Sequence, residues 1–222
     1  MNDNYLEEIK RIKGTLGNKE LQRSLAKLIK QGVNEYNLSR IKSENKPIQS
    51  YISSKGIERA EKIGNEICNS NNILEKFGVT VDVFSASNIP IMYLDDLAIT
   101  IKSLKNPESI IKNKTGYIKE YSKCNRSLDS QIDMFDFLDS PLNKENHKFK
   151  YYCILLYHIS HASNIEYMEF VFLNEEANKI LFKIKVDDDV FKLEEKITYK
   201  NQSIVTEEQI KGKSLKDLVR IK

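Results

Sequence analysis

The hydrophobic period changes at Gly78, and that change restricts the fold more than any other feature of the chain. Between residues 18 and 32, Leu21, Leu25, Leu28 and Ile29 recur at i, i+4, i+7 and i+8, the spacing of one buried helix face. Immediately after Gly78, VTVDVF (residues 79–84) alternates with period two, as a strand with one buried face must. Helices gathered before a boundary and strands after it define the α+β class. The expectation is a helical N-terminal region over 1–77, then a mixed region over 78–222 containing an antiparallel β-sheet.

Within the first region, Tyr5, Leu6, Ile9 and Ile12 propose a shorter helix over 3–13, ended by a Gly14–Gly17 break. Another helix begins near Ser54 and carries Ile57, Ala60, Ile63 and Ile67 at helical spacing. After Gly78, the run IPIMY (89–93) is a short strand. The clearest strand set comes later, at 149–159, 165–173 and 179–186, separated by Asn-, Glu- and Ser-rich intervals suited to hairpin turns. Lys179, Lys183 and Lys185 interleave with Ile180, Phe182, Ile184 and Val186, as on a sheet with one wet face. Residues 102–126 hold seven basic and two acidic side chains and then meet LDSQIDMFDFLD, with its four aspartates. This junction reads as a loop or a pair of short helices. Short C-terminal helices are expected after the sheet.

At 222 residues the chain can bury roughly 70% of its unfolded surface, so it needs neither disulfide nor metal to fold. No run approaches the ~18 apolar residues of a membrane helix. The N-terminal stretch carries early acidic residues and no apolar core, unlike a secretory signal, so a cytoplasmic location is expected. Cys68, Cys124 and Cys153 are too scattered for a CxxC pair and suit small apolar fillers in a reducing compartment. The net charge of +3 is unevenly spread: residues 1–78 carry 14 Lys/Arg against 10 Asp/Glu, whereas residues 129–222 carry 14 against 17. Only the N-terminal region is suited to face phosphates. Usage rich in Asn, Ile and Lys suggests an AT-rich bacterial or phage genome.

The sharpest functional feature is VNEYNLSRIKSENKPIQ (33–49). Gly32 stands where a helix C-cap would, and a second polar helix after it would complete a helix-turn-helix over 18–48. That helix would hold Val33, Leu38 and Ile41 inward and present Asn34, Asn37 and Arg40 outward. Asn can pair with adenine and Arg with guanine, while Lys30, Lys42 and Lys46 would take phosphates. The resemblance departs at one position: four residues before the turn glycine, where such motifs prefer a small side chain, stands Leu28, and Ala26 lies two positions too early. An ordinary surface helix accounts for the same pattern.

Other chemistry is thinner. His158 and His161 sit three apart on an expected strand, which sends them to opposite faces and frustrates shared metal ligation. Glu194-Glu195-Lys196 after Asp187, Asp188 and Asp189, with Asp82, Asp95 and Asp96 as earlier carboxylates, would give a metal-dependent nuclease its acids and lysine. A chain this charged produces the triplet by chance, and DDD after a strand is more simply a solvated turn. No phosphate-cradling glycine loop or serine elbow is present. Leu128 to Leu138, apolar residues interleaved with Asp129, Asp133 and Asp136, reads as an amphipathic helix laid on the sheet or as a docking segment. The expected function is a non-catalytic regulatory protein that binds double-stranded DNA through 18–48, with no cofactor and no membrane. The alternatives are a protein-interaction module, with a protein partner or a second copy as a homodimer, and the nuclease.

Overall fold

The computed structural model describes residues 3–41, 48–84, 89–129, 149–160 and 164–191. The chain divides into two compact units, Met1–Val186 and Asp187–Lys222. Of the second, residues 188–191 form a helical turn, with Val190 N–H donating to Asp187 O at 3.0 Å.

Four helices precede the sheet: α1 (Asp3–Leu16), α2 (Lys19–Ile41), α3 (Ile48–Asn69) and the short α4 (Asn71–Leu74). Gly78 then takes a left-handed φ of 75°, which glycine adopts without strain, and turns the chain into the first strand. Six strands follow: β1 (Val79–Phe84), β2 (Ile89–Leu94), β3 (Leu97–Ser103), β4 (Tyr151–Ile159), β5 (Ile165–Leu173) and β6 (Ile180–Lys185). They form one sheet in sequence order. Every neighbouring pair is antiparallel except β3 with β4, which run parallel with Leu97 opposite Tyr151 and Ser103 opposite Tyr157. The α+β architecture is therefore as expected, with the sheet mixed at its centre.

A parallel neighbour cannot be reached by a hairpin, so the chain must return to the other end of the sheet before β4 can start. The described part of that return contains a 3-10 turn (Pro107–Ile111), helix α5 (Gly116–Ser122) and a second 3-10 stretch (Lys123–Leu128). It covers one face of the sheet: Ile110 and Ile118 pack with Ala98, Tyr152, Ile154, Leu156, Val171 and Leu173. Helix α3 packs against β1 and β2, and α2 against β5. With elements above and below it, β4 is buried at every position but His158, which explains its near-continuous apolar sequence. The same logic obscured β3: Leu97, Ala98, Ile99 and Thr100 are all buried, so alternation is confined to the short stretch Ile99–Lys102.

One side chain fastens the crossover to the sheet. Asn125 is fully buried, and its Nδ2 donates to Tyr152 O and to Leu173 O, both at 2.8 Å, while its Oδ1 accepts from Tyr152 N–H at 2.9 Å. The β4–β5 ladder reaches Ile154 opposite Val171, and Asn125 occupies the next rung in place of a direct strand pair.

Helix α2 departs from the sequence expectation. It does not stop at Gly32 but continues to Ile41. Gly32 serves a different purpose, since a Cβ there would lie 2.5 Å from Ile63 Cα and 2.7 Å from Ile63 N. The glycine lets the backbones of α2 and α3 touch. Likewise α1 runs through Gly14, and its break falls at Gly17. In α3, Ile63 and Ile67 are buried as expected, but Ala60 is exposed and Ile57 is 72% exposed.

Two glycines in helices therefore answer oppositely to alanine. Gly32→Ala forces α2 away from α3 and is expected to cost ~2 kcal/mol or more in urea unfolding, despite alanine's helix propensity. Gly14→Ala meets nothing within 4 Å and is expected to stabilise by ~0.5–1 kcal/mol. Asn125→Ala leaves buried backbone groups on β4 and β5 unpaired, each costing ~1–3 kcal/mol, so the loss is expected to reach ~3 kcal/mol. Asn125→Asp should be no better, because a carboxylate cannot donate to the carbonyls of Tyr152 and Leu173.

Candidate nucleic-acid interface

Continuity of α2 through Gly32 sets the phase of every residue along it. Leu21, Leu25, Leu28, Ile29, Gly32, Val33 and Tyr36 form its buried face. At 100° per residue, Lys19, Arg23, Lys27, Lys30, Asn34 and Asn37 all fall within ~40° of one line on the opposite face. Lys19, Lys27 and Asn34 are exposed, and Arg23, Lys30 and Asn37 are partly so. The line runs ~27 Å from Lys19 to Asn37 at 1.5 Å per residue. Glu20 lies beside it and pairs with Arg23.

The six residues expected to meet DNA divide accordingly. Lys30, Asn34 and Asn37 share the stripe. Arg40 does not: its guanidinium lies over the Tyr36 ring, 5.4 Å from the centroid, and Nη1 donates to the Tyr36 hydroxyl at 2.5 Å. Lys42 and Lys46 lie outside the described residues, as does the side chain of Ile41. Leu38, expected inside, is 52% exposed. The correction has one cause: without a turn after Gly32, Leu38 keeps the phase of α2 and sits 200° around from Tyr36. The same turn, wrongly inferred, divided the stripe and concealed Lys19, Arg23 and Lys27, although their i, i+4, i+8 spacing was open to reading.

The carboxylates considered for catalysis are dispersed. Asp96 is held by Arg11, whose Nη2 donates to both carboxylate oxygens at 2.9 and 2.8 Å, and Arg11 also pairs with Glu8. Asp82 and Asp95 line a cleft on the crossover side of the β1 edge. Asp187, Asp188 and Asp189 are exposed. Glu194, Glu195, Lys196, His161, Asp133 and Asp136 fall outside the described residues. His158 Nε2 stands 3.5 Å from Glu166 across the β4–β5 hairpin. Among the described residues no three His, Cys, Asp or Glu side chains come together as a metal site. Cys68 and Cys124 are half-buried and Cys153 is buried, and burial pushes the Cys153 thiol far up.

Glu169 on β5 is a half-buried carboxylate. Burial pushes its carboxyl above the usual range against the opposing pull of Lys183. Its Oε1 is shielded from solvent and 3.7 Å from Lys183 Nζ, beyond hydrogen-bond reach, because Lys183 is drawn to Glu108. Burial, with the charge of Glu169 second, pushes the Tyr167 phenol up to about 12, and that phenol donates to Leu104 O. These contacts join β5 and β6 to the start of the crossover.

No protein-family model, curated protein or solved structure matches this chain. No described helix is long and apolar enough to cross a membrane.

An acid whose pKa is raised by folding binds its proton more tightly in the folded state. The stability it contributes is therefore greatest below the ordinary carboxyl range and falls as pH rises through the folded value. Glu169→Gln should remove that penalty. The expected outcome is a Tm above the parent's at pH 8, with the gap closing by pH 4. A gap constant across that range would place the cost outside the Glu169 ionisation.

Proposed function

We propose that the chain is a non-catalytic regulatory protein that binds duplex DNA through the exposed face of α2. The observation that carries the reading is the alignment of Lys19, Arg23, Lys27 and Lys30 on one face of a helix whose opposite face is buried. A basic stripe of this kind is the electrostatic footprint of a phosphate-binding surface. Asn34 and Asn37 extend the same line and offer amides to base edges or phosphates. Binding in this mode is a rigid helix laid along the duplex rather than a recognition helix after a turn. Affinity then rests on phosphate neutralisation, and sequence preference is weak. Arg40 takes no part in base reading, because it is spent on Tyr36.

A protein-interaction role draws support from a separate observation. Leu38 and Ile57, both more than half exposed, lie six residues past Gly32 and six before Ile63, at the same level of the α2/α3 pair. Paired exposed aliphatic groups of this kind suit contact with a second helix.

Electrophoretic shift of AT-rich duplex across a salt series separates the two. Counterion release gives a slope of log K against log salt of about −0.9 per phosphate contact. Lys27→Ala with Lys30→Ala is expected to flatten the slope by ~2 and weaken all sequences alike, with Tm unchanged. Arg40→Ala is expected to leave the slope untouched. Absence of any shift at ~50 mM salt, or a slope indifferent to Lys27 and Lys30, would remove the DNA reading. Concentration-dependent self-association lost in Leu38→Ser would favour the other.

A further inference from the structure

Four strands and the crossover bring charged groups together on the covered face of the sheet. Strand register puts Lys102, Leu156, Glu169 and Lys185 in one row from β3 to β6, with Lys183 one rung away, opposite Val171. The 3-10 turn Pro107–Ile111 adds Glu108. Tyr167 and His158 face each other on the next rung, where the Tyr167 phenol donates to Leu104 O and His158 Nε2 stands 3.5 Å from Glu166.

Within this group one ammonium serves two carboxylates. Lys183 Nζ is ion-paired with Glu108 and lies 3.7 Å from Glu169 Oε1, an oxygen shielded from solvent that accepts no hydrogen bond. Lys185 is exposed, and Leu156 stands between Glu169 and Lys102. Water can compensate one acid and not the other, since the side chain of Glu108 is 65% exposed and that of Glu169 only 13%. An ionised Glu108 released by Lys183 is hydrated, whereas an ionised Glu169 without Lys183 remains desolvated and unpaired, the costlier state. Burial, against the pull of Lys183, holds the Glu169 carboxyl above the usual range.

Glu108 also fastens the crossover. Leu104 N–H donates to Tyr157 O and Lys114 Nζ to Ala177 O, both at 3.0 Å; between those points, among the described residues, the polar tie to the sheet is Glu108 with Lys183. The turn it holds carries Ile110 into the core.

We propose that Lys183 is a latch shared between crossover and sheet, fastening the 3-10 turn through Glu108 while Glu169 is protonated and turning to Glu169 when that acid ionises. Because folding raises the Glu169 carboxyl, the latch is closed below its folded value and loosens as pH rises through it. Lys183 needs to move only ~1 Å to reach the ~2.8 Å of a charge-assisted hydrogen bond. The device is separate from α2 and acts whether or not DNA binds there.

Amide exchange of the full chain at ~pH 5 and ~pH 8, both above the ordinary carboxyl range, reads the latch. The reporters are the N–H groups of Ser109, Lys112 and Asn113, which donate to Asn106 O, Ser109 O and Ile110 O. Each is normalised by its unfolded-chain rate at the same pH and by the buried Ile154 on β4. Protection at the reporters is expected to be about two- to fivefold lower at the higher pH, the size of one partly exposed ion pair. Glu169→Gln should hold protection at the parental low-pH level throughout. Glu108→Gln, a change on an exposed side chain, should leave protection low and flat, and Lys183→Met should do the same. His158→Gln controls for histidine chemistry, which falls in this pH range, and should keep the parental response. Protection indifferent to pH in the parent, a response that survives Glu169→Gln or Glu108→Gln, or one abolished by His158→Gln would overturn the proposal.

Discussion

The architecture depends on the parallel pairing of β3 with β4. Each half of the sheet is a simple meander that could close with short turns. Placing the second meander alongside the first in parallel obliges the chain to travel back over one face. That return becomes a covering layer, which is why Tyr152, Ile154 and Leu156 are dry on a face that a plain antiparallel sheet would leave wet. The described part of the crossover is helix α5 between two short 3-10 stretches, and Asn125 fixes it to the sheet. By occupying the rung between Tyr152 and Leu173, one amide ties the covering layer to β4 and β5 at the point where their ladder ends. A buried polar network of this type specifies one arrangement, because any other leaves its members unpaired.

Much of this was legible in the residues. Period-two alternation located β1, and apolar runs bounded by polar turns located β4, β5 and β6, because side-chain period reflects backbone geometry directly. Strand β3 was less legible, since its first four residues are buried and its alternation is confined to Ile99–Lys102. Gly32 was misread for a related reason. Glycine ends helices because it reaches left-handed φ, and it also lets helices touch because it lacks a Cβ. The residue type is the same in both uses. The distinguishing fact is the position of Ile63, thirty-one residues away in sequence and 2.5 Å from where a Cβ would be. Asn125 illustrates the same limit, since nothing local separates a buried asparagine bound to three backbone atoms from one in a surface loop.

The error at Gly32 had a consequence for the candidate site. A helix cut there contributes Asn34, Asn37 and Arg40 as one set and leaves Lys19, Arg23 and Lys27 on another element. An unbroken helix sorts them by angle, so Arg40 moves onto Tyr36 and the earlier cations join Lys30. The chemistry imagined for the site was borrowed from a motif, whereas the phase of α2 follows from Leu21, Leu25 and Gly32 being buried together.

That sorting also bears on how a modest charge could be enough. The N-terminal region has a small basic surplus, which spread evenly would attract a polyanion little. It is not spread evenly. Lys19, Arg23, Lys27 and Lys30 line one face of α2, whereas the described side of α3 mixes Glu58, Glu61 and Glu66 with Arg59 and Lys62. Segregation gives α2 a local positive face, and within a Debye length of ~10 Å at 0.1 M salt a polyanion would sense that face rather than the net charge. Raising the salt shortens that length and weakens the local attraction. The buried face of α2, fixed by its contact with α3 at Gly32, is what holds those cations on one line.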